Sequence, residues 1–526
     1  MPFMKKIRAA AAALLIVFVL SGCAKTAGKP GKPGKKTAQS IRAAIFPPPK
    51  SLIPIEGEHY VDGQFTEIIF NNLVQANYQG NLSTELASSW EISPDHREYT
   101  FHLRKNVRFH NGRPFTASDV VFTMEKLIEK AQGKYAEINY IAGYEDFLRK
   151  RAGHVRGVRA LDEHTVRISL NKNFKFFLQF LAADSMAIVP KDYAGLSEEA
   201  FRRNPIGTGP FRLARCTTRT LGSRPFLVYE LVKNRGYFAP TGNVGAIELC
   251  SANTPIDAST KEFFDLVFIS NSEIPELSGN PGFKIINSSH NVLNFLILNP
   301  RENSQMKDRR VRQLINYSIN REELVRRVFQ NQALPAYSMM PLALLGYNPY
   351  YRLDYSRADR IRTELSSAPI RFTITTLAQE PRRFVAEFLH QELARVNVDV
   401  NVVTVSDQYD YFHNLIYNTD TSVILGGIPD YPCAYHFLSH LVEPNGYYNI
   451  LKITDPEMLA KIKTLPGVDT VEEAHMLAEI NKALESDSIY IPLYHNSNFI
   501  AIRNRIEAIG FKYGEIVDFA ALEVAE

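Results

Sequence analysis

Residues 86–124 read LASSWEISPDHREYTFHLRKNVRFHNGRPFTASDVVFTM. Within them EYTFHLRKNVRF (98–109) alternates, with Tyr99, Phe101 and Leu103 set against Thr100, His102 and Arg104. A period of two predicts a half-buried strand. Asn111-Gly112 follows and predicts a tight turn. Thr116-Ala117-Ser118-Asp119 then opens an apolar helical pattern through Val120, Val121, Met124 and Leu127, with Thr116 or Ser118 as N-cap. Strand, turn and capped helix in one short run point to a mixed α/β protein.

Working outward, Ile41–Phe46 predicts a short strand that Pro47–Pro49 ends. Residues 66–77 predict a helix with Ile68, Ile69, Leu73 and Val74 on one face, and 164–170 predict another strand. Farther on, Ile370–Thr376 alternates, Arg382–Val396 reads as an amphipathic helix with Glu392 its polar intruder, and Val398–Val405 alternates again. An apolar run begins at Ser422–Leu425. Strand, helix, strand predicts a βαβ unit in a parallel or mixed sheet. Ligands of such sheets lie beyond the carboxyl ends of the strands. The segment GGIPDYP (426–432) occupies that position. No internal repeat is evident.

Composition narrows the function. Of 526 residues, 45% are apolar and 22% charged, as in an ordinary globular protein of two to four domains by length. Four cysteines exclude a disulfide-built scaffold and a Cys-rich zinc module; Cys216, Cys250 and Cys433 read as small buried residues. The formal charge of +4 sits at the start of the chain. Lys5, Lys6 and Arg8 precede an apolar run from Ala9 to Leu20, followed by Ser21-Gly22-Cys23. Residues 1–22 therefore read as a secretory signal, too short for a permanent membrane span. The ending resembles a bacterial lipobox, which implies cleavage before Cys23 and acylation of that residue. Residues 24–40 hold five lysines and no acid and read as a flexible tether. The remainder, 41–526, carries 52 cations against 56 anions, which argues against nucleic acid as a partner. No other stretch is long and apolar enough to span a membrane.

Catalytic signatures are missing. There is no G-x-S-x-G, H-E-x-x-H, Walker-type loop or G-x-G-x-x-G after a strand. Gly207-Thr208-Gly209-Pro210 loses an N–H to its proline, so it makes a poor phosphate cradle. His436 and His440, four apart, could share a helical face toward a metal, but no third ligand is apparent. A binding protein is favoured over an enzyme, and no cofactor is implied.

Residues 86–124, NPIGTGPFRL (204–213), the segment around DRRVRQLINYSINREELV (308–325) and IYIPLYH (489–495) resemble, in that order, landmarks of the bacterial extracellular solute-binding proteins, family 5, which serve oligopeptide, dipeptide and nickel ABC importers. The similarity covers nearly all of 41–526. It implies a two-lobed periplasmic-binding-protein fold (type II, class C), with an extra domain in the first lobe and a ligand cleft between lobes. The implied plan is signal 1–22, tether 23–40, first lobe 41–70, extra domain 71–186, first lobe again 187–285, second lobe 286–487, and first-lobe completion by 488–526. The implied partners are a short peptide or peptide-like solute, membrane permease subunits, and a membrane reached through acylated Cys23, with the protein a monomer.

The resemblance also implies site residues. Asp430 matches the acid that pairs with a ligand α-ammonium, although on spacing alone an Asp beside Pro429 and Tyr431 reads as a turn residue. Arg382 and Arg383 open the 382–396 helix where relatives hold the other end of the peptide. Glu56 resembles a groove acid, and Tyr135 an aromatic wall. Asn271, Gly427, Ile428 and Tyr431 complete the expected lining. Two positions depart from the family pattern. Gly427 stands where oligopeptide binders often carry tryptophan, and Ile424 where they carry arginine. The open alternatives are a metal or metal-chelate receptor of the same fold using His436 and His440, and a surface adhesin or folding factor that has lost transport.

Overall fold

The computed structural model describes residues 40–525, except 58–59, 131–134, 223, 253–257, 288–291, 366, 408–410, 412–420 and 497. The signal, the tether and Cys23 lie outside the described residues. The chain forms two compact units. One takes the chain up to Phe268, Glu276–Ile286 and the chain from Ile500; the other takes Ile269–Pro275 and Asn287–Phe499.

The first unit is built on a seven-stranded sheet. Its order is Phe283–Asn287, Phe499–Arg503, Leu266–Ile269, Ser40–Ile45, Ala246–Ser251, Arg224–Lys233 and Phe211–Leu221. Ser40–Ile45 runs parallel to both neighbours, while the last strands form an antiparallel hairpin ladder. Its core gathers Ile41, Phe65, Ile69, Leu231, Leu249 and Ile500. A separate four-stranded antiparallel sheet lies within 71–186: Ala87–Ile92, Glu98–Leu103, Thr165–Ser169 and Val158–Asp162. The helix Ala117–Lys130 buries Val120, Met124 and Leu127, as their spacing requires. Asp119, in its first turn, accepts from the Thr116 N–H at 2.8 Å.

Two local expectations are corrected here. The 98–109 strand stops at Leu103. Beyond it the chain turns, with Phe109 N–H bonded to Arg113 O at 2.9 Å and Gly112 at φ +86°. The 66–77 helix is instead Tyr60–Ile69, and Val74–Ala76 is a strand paired with Leu82–Thr84. Glu85 explains the break. It accepts from the Asn72 N–H at 2.6 Å and the Asn71 side chain at 2.7 Å, which offers this backbone partners outside a helix.

The second unit holds a six-stranded sheet in the order Leu334–Pro335, Tyr490–Asn496, Val292–Ile297, Ser422–Gly427, Ile370–Leu377 and Val398–Val405. The βαβ unit is as the periodicity requires. Ile370–Leu377 and Val398–Val405 pair in parallel, and the helix Arg382–Ala394 sets Val385, Phe388 and Leu389 into their core. Ser422–Gly427 extends the sheet, parallel to Ile370–Leu377 and antiparallel to Val292–Ile297.

The C-terminal boundary differs from the expected plan. Tyr490–Asn496 pairs with Val292–Ile297, so the chain returns to the first unit at Ile500 rather than at 488. This strand is buried over all but its last residue and needs neighbours on both edges. Arg321, 0% exposed, ties it down by donating to Pro492 O at 3.1 Å while also bonding Ile319 O at 2.7 Å and the Asn316 side chain at 2.6 Å.

Candidate functional site

The strand Ser422–Gly427 is buried through Leu425 and opens at Gly426 and Gly427. Pro429 and Pro432 then stop the ladder, because proline brings no N–H to a sheet. Residues 428–433 therefore form a loop that leads into the helix Ala434–Val442. Loop and helix start both sit at the carboxyl end of the strand.

Asp430 lies in this loop with its side chain 51% exposed. Its carboxylate is open to solvent on one side. On the other side its Oδ2 stands 3.8 Å from Nε2 of His436, which is 2% exposed. His436 packs against the Tyr431 ring at 4.3 Å and against His440 at 4.4 Å between centroids. Tyr431 is fully buried, so it supports the loop from beneath. His440 Nδ1 accepts the Tyr447 N–H at 3.0 Å, which leaves Nε2 as its other ring nitrogen. Among the described residues no group of three His, Cys, Asp or Glu side chains is placed to hold a metal ion.

Gly426 and Gly427 are glycines because other groups take the space of a side chain. A Cβ at Gly426 would stand 3.1 Å from Asn294 Cγ and 3.5 Å from Arg382 Nη2. The Arg382 guanidinium thus lies beside the strand end. Its charge acts on Tyr411 and Tyr494, although burial dominates and pushes the Tyr411 phenol up to about 12. Tyr411 donates to Ile424 O at 2.9 Å and so fixes the strand from the side.

At Gly427 a Cβ would stand 2.7 Å from Tyr448 Cε1 and overlap Cζ and the hydroxyl. Tyr448 packs among Phe295, Phe437 and Tyr447, with centroids 5.7, 5.6 and 5.1 Å away. Burial first, then Tyr447 and the Asp430 carboxylate, hold its phenol well above the ordinary value, so it stays neutral. Its hydroxyl faces the half-buried Ile428, whose carbonyl it reaches at 3.5 Å. The tryptophan missing at 427 is therefore matched by an aromatic ring that arrives from beyond the next helix. Ile424, where an arginine was looked for, is wholly buried in the core.

The remaining candidates separate. Arg383 bonds Glu387 one turn along the helix at 2.6 Å and lies over the Phe384 ring at 4.2 Å. That is a helix-surface pair rather than a receptor for a carboxylate. Tyr135, 4% exposed, packs edge-on to Phe180 at 5.9 Å within the first unit, a core residue and not a groove wall. Glu56, also in the first unit, accepts from Arg202 at 2.9 and 2.6 Å and from Ser51 at 2.7 Å. Burial raises its pKa, but the Arg202 and Ser51 hydrogen bonds and the charges of Arg202 and Lys130 outweigh it and bring it to about 2. Glu56 thus serves a structural ion cluster. Asn271 starts a short 3-10 helix, Asn271–Glu273, and its Nδ2 finds no hydrogen-bond partner among the described residues. The sequence pattern held no signal for Tyr448, Tyr411 or Asn294, which reach the strand end from distant segments.

Comparison with known proteins agrees with this architecture. The profile of the bacterial extracellular solute-binding proteins, family 5 Middle, matches residues 81–449. Heme-binding protein A of Haemophilus influenzae is 25% identical over 488 residues, 86% of either chain. The periplasmic oligopeptide-binding protein OppA of Salmonella typhimurium is 23% identical over 527 residues, 93% of either chain. Among solved structures, the periplasmic binding protein DppA of Helicobacter pylori in complex with the peptide STSA superposes with a TM-score of 0.74 at 22% identity, covering 93% of this chain and 98% of the other. The fold is that of type II periplasmic binding proteins. The chain belongs to the bacterial extracellular solute-binding proteins, family 5.

Proposed function

We propose that this protein is the receptor of a peptide ABC import system. It captures a short peptide or peptide-like solute, such as a di- or oligopeptide, glutathione or a cell-wall peptide, and delivers it to a membrane permease. It works in the periplasm, held to a bacterial membrane through acylated Cys23. Relatives of similar identity carry names with different solutes, so the solute class is read from the site.

The carrying observation is a pair of opposite charges at one strand end. The Arg382 guanidinium lies beside Gly426, and the half-exposed Asp430 carboxylate follows four residues later. A free peptide carries a cation and an anion at its termini. Asp430 suits the α-ammonium, since a charge-assisted hydrogen bond is short and strong. Arg382 suits an anionic or carbonyl group of the same ligand. In this reading the Asn271 amide adds a donor, Gly427 and Ile428 shape the wall, and the buried Tyr431 backs the loop behind them. Ligand contacts made only in a closed state would drive closure of the receptor.

Calorimetry with a tripeptide and its N-acetylated form tests this reading. The free tripeptide should bind and the acetylated one should bind far more weakly. Asp430→Asn should abolish that difference while leaving the thermal melt unchanged. Equal binding of both peptides to the wild type would remove the amino clamp. The metal-chelate reading draws on His436 and His440, 4.4 Å apart between ring centroids. It is the weaker one, because a backbone N–H already occupies His440 Nδ1.

A further inference from the structure

A cavity of about 820 Å³ opens in the first unit where the hairpin Phe211–Leu221 and Arg224–Lys233 meets the 234–245 loop. Arg212, Lys233 and Arg235 bring three cations to its lining, beside His110, Asn234 and Asn243, and no acid lines it. Nothing assigned above uses this cavity.

The charge imbalance stands out against the rest of the sheet. Farther along, Arg42 pairs with Glu248 at 2.6 Å, Arg219 with Glu248 at 2.8 Å, and Arg215 with Glu230 at 2.6 Å. Arg212, Lys233 and Arg235 have no ion-pair partner among the described residues. Lys233 Nζ donates to Gly242 O, a carbonyl that leaves its charge uncancelled. Three like charges around one concavity repel each other, and an entering anion relieves that repulsion.

The wall behind the cations is fixed. Asn243 bonds the Val524 carbonyl at 2.7 Å and accepts the Val524 N–H at 2.9 Å. Asn234 donates to Gly209 O at 3.0 Å. His110 bonds Gly209 O at 3.0 Å through Nε2, and its Nδ1 accepts the Gly207 N–H at 3.3 Å. Burial lowers the His110 pKa to about 4 against the Gly209 bond, with Arg212 adding to the drop, so the ring is a neutral part of the wall.

A single carboxylate matches one guanidinium. Three cations without an acid match an oxyanion of higher charge, and guanidinium forks fit phosphate oxygens in pairs. We propose that this cavity binds a phosphate group, carried by a soluble phosphate compound or by the headgroup of an anionic lipid. The lining shares no residue with the Asp430 loop, and the proposal stands whether or not a peptide is the transported solute.

The test uses the full chain carrying Cys23→Ser, so that acylation contributes nothing to vesicle binding. Calorimetry with inorganic pyrophosphate probes the soluble source. Sedimentation with phosphatidylcholine vesicles, with and without phosphatidic acid, probes the lipid source. Saturable binding to either probe, weakened about tenfold by Arg212→Gln and further by adding Arg235→Gln, supports the site. Pyrophosphate binding points to a soluble compound, and binding only to phosphatidic acid vesicles points to a headgroup. Both side chains are exposed and make no ion pair, so the variants should melt with the wild type. If neither probe binds, or the double variant binds as the wild type does, the proposal is overturned.

Discussion

Gly427→Ala measures how firmly Tyr448 holds the carboxyl end of the strand Ser422–Gly427. The backbone at Gly427 lies outside the left-handed region, so alanine meets no conformational strain there and the cost is steric. The new methyl would overlap the Tyr448 ring and hydroxyl. The ring is hemmed in by Phe295, Phe437 and Tyr447, and cannot swing aside without displacing them. Overpacking of this kind costs about 1–3 kcal/mol. Tyr448→Ala alone leaves a cavity and should cost about 3–5 kcal/mol. In that background the added methyl has room, so Gly427→Ala should cost less than about 0.5 kcal/mol, and the two substitutions should be strongly non-additive. Urea unfolding of the four proteins of this cycle, followed by circular dichroism, reads the coupling. A Gly427→Ala protein as stable as the wild type, or one whose cost is equal in both backgrounds, would refute the steric account.

Three further outcomes are expected. Asp430→Asn should keep the fold and lose preference for a free amino terminus, a change of about 2–5 kcal/mol in peptide binding read by calorimetry. Glu56 has its folded pKa lowered from 4.5 to about 2, so its stabilisation is full above the ordinary carboxylate range and fades as the pH falls toward 2. The stability gap between wild type and Glu56→Gln, about 1–2 kcal/mol near neutrality after allowance for solvent screening, should therefore close between pH 4.5 and 2 in acid titrations. Arg321→Met should cost at least about 3 kcal/mol in urea unfolding, because several buried carbonyl groups lose their donor together.

Hydrophobic periodicity alone shows only local structure, while the resemblance carried by the longer motifs implied the type II periplasmic-binding-protein fold. The alternation at 370–376 and 398–405 and the apolar stripe of the helix between them carry enough periodicity to place a βαβ unit, and with it the segment 426–432 at the carboxyl end of a strand. The helix looked for at 66–77 failed because two asparagines and Glu85 gave the backbone another set of partners, which hydrophobic spacing does not reveal. The boundary near 488 failed because the pairing of Tyr490–Asn496 with Val292–Ile297 joins segments far apart in the chain. At the site the same division holds. Asp430 is singled out by the family resemblance and not by spacing, whereas Tyr448 fills the place of an expected tryptophan from a different segment and leaves no mark in the spacing.

The strand Phe499–Arg503 sits between Phe283–Asn287 and Leu266–Ile269 in the first sheet. While the protein is being made, everything before it can be synthesised and that sheet still has a gap one strand wide. The first unit therefore completes its architecture only after residue 503 has left the ribosome.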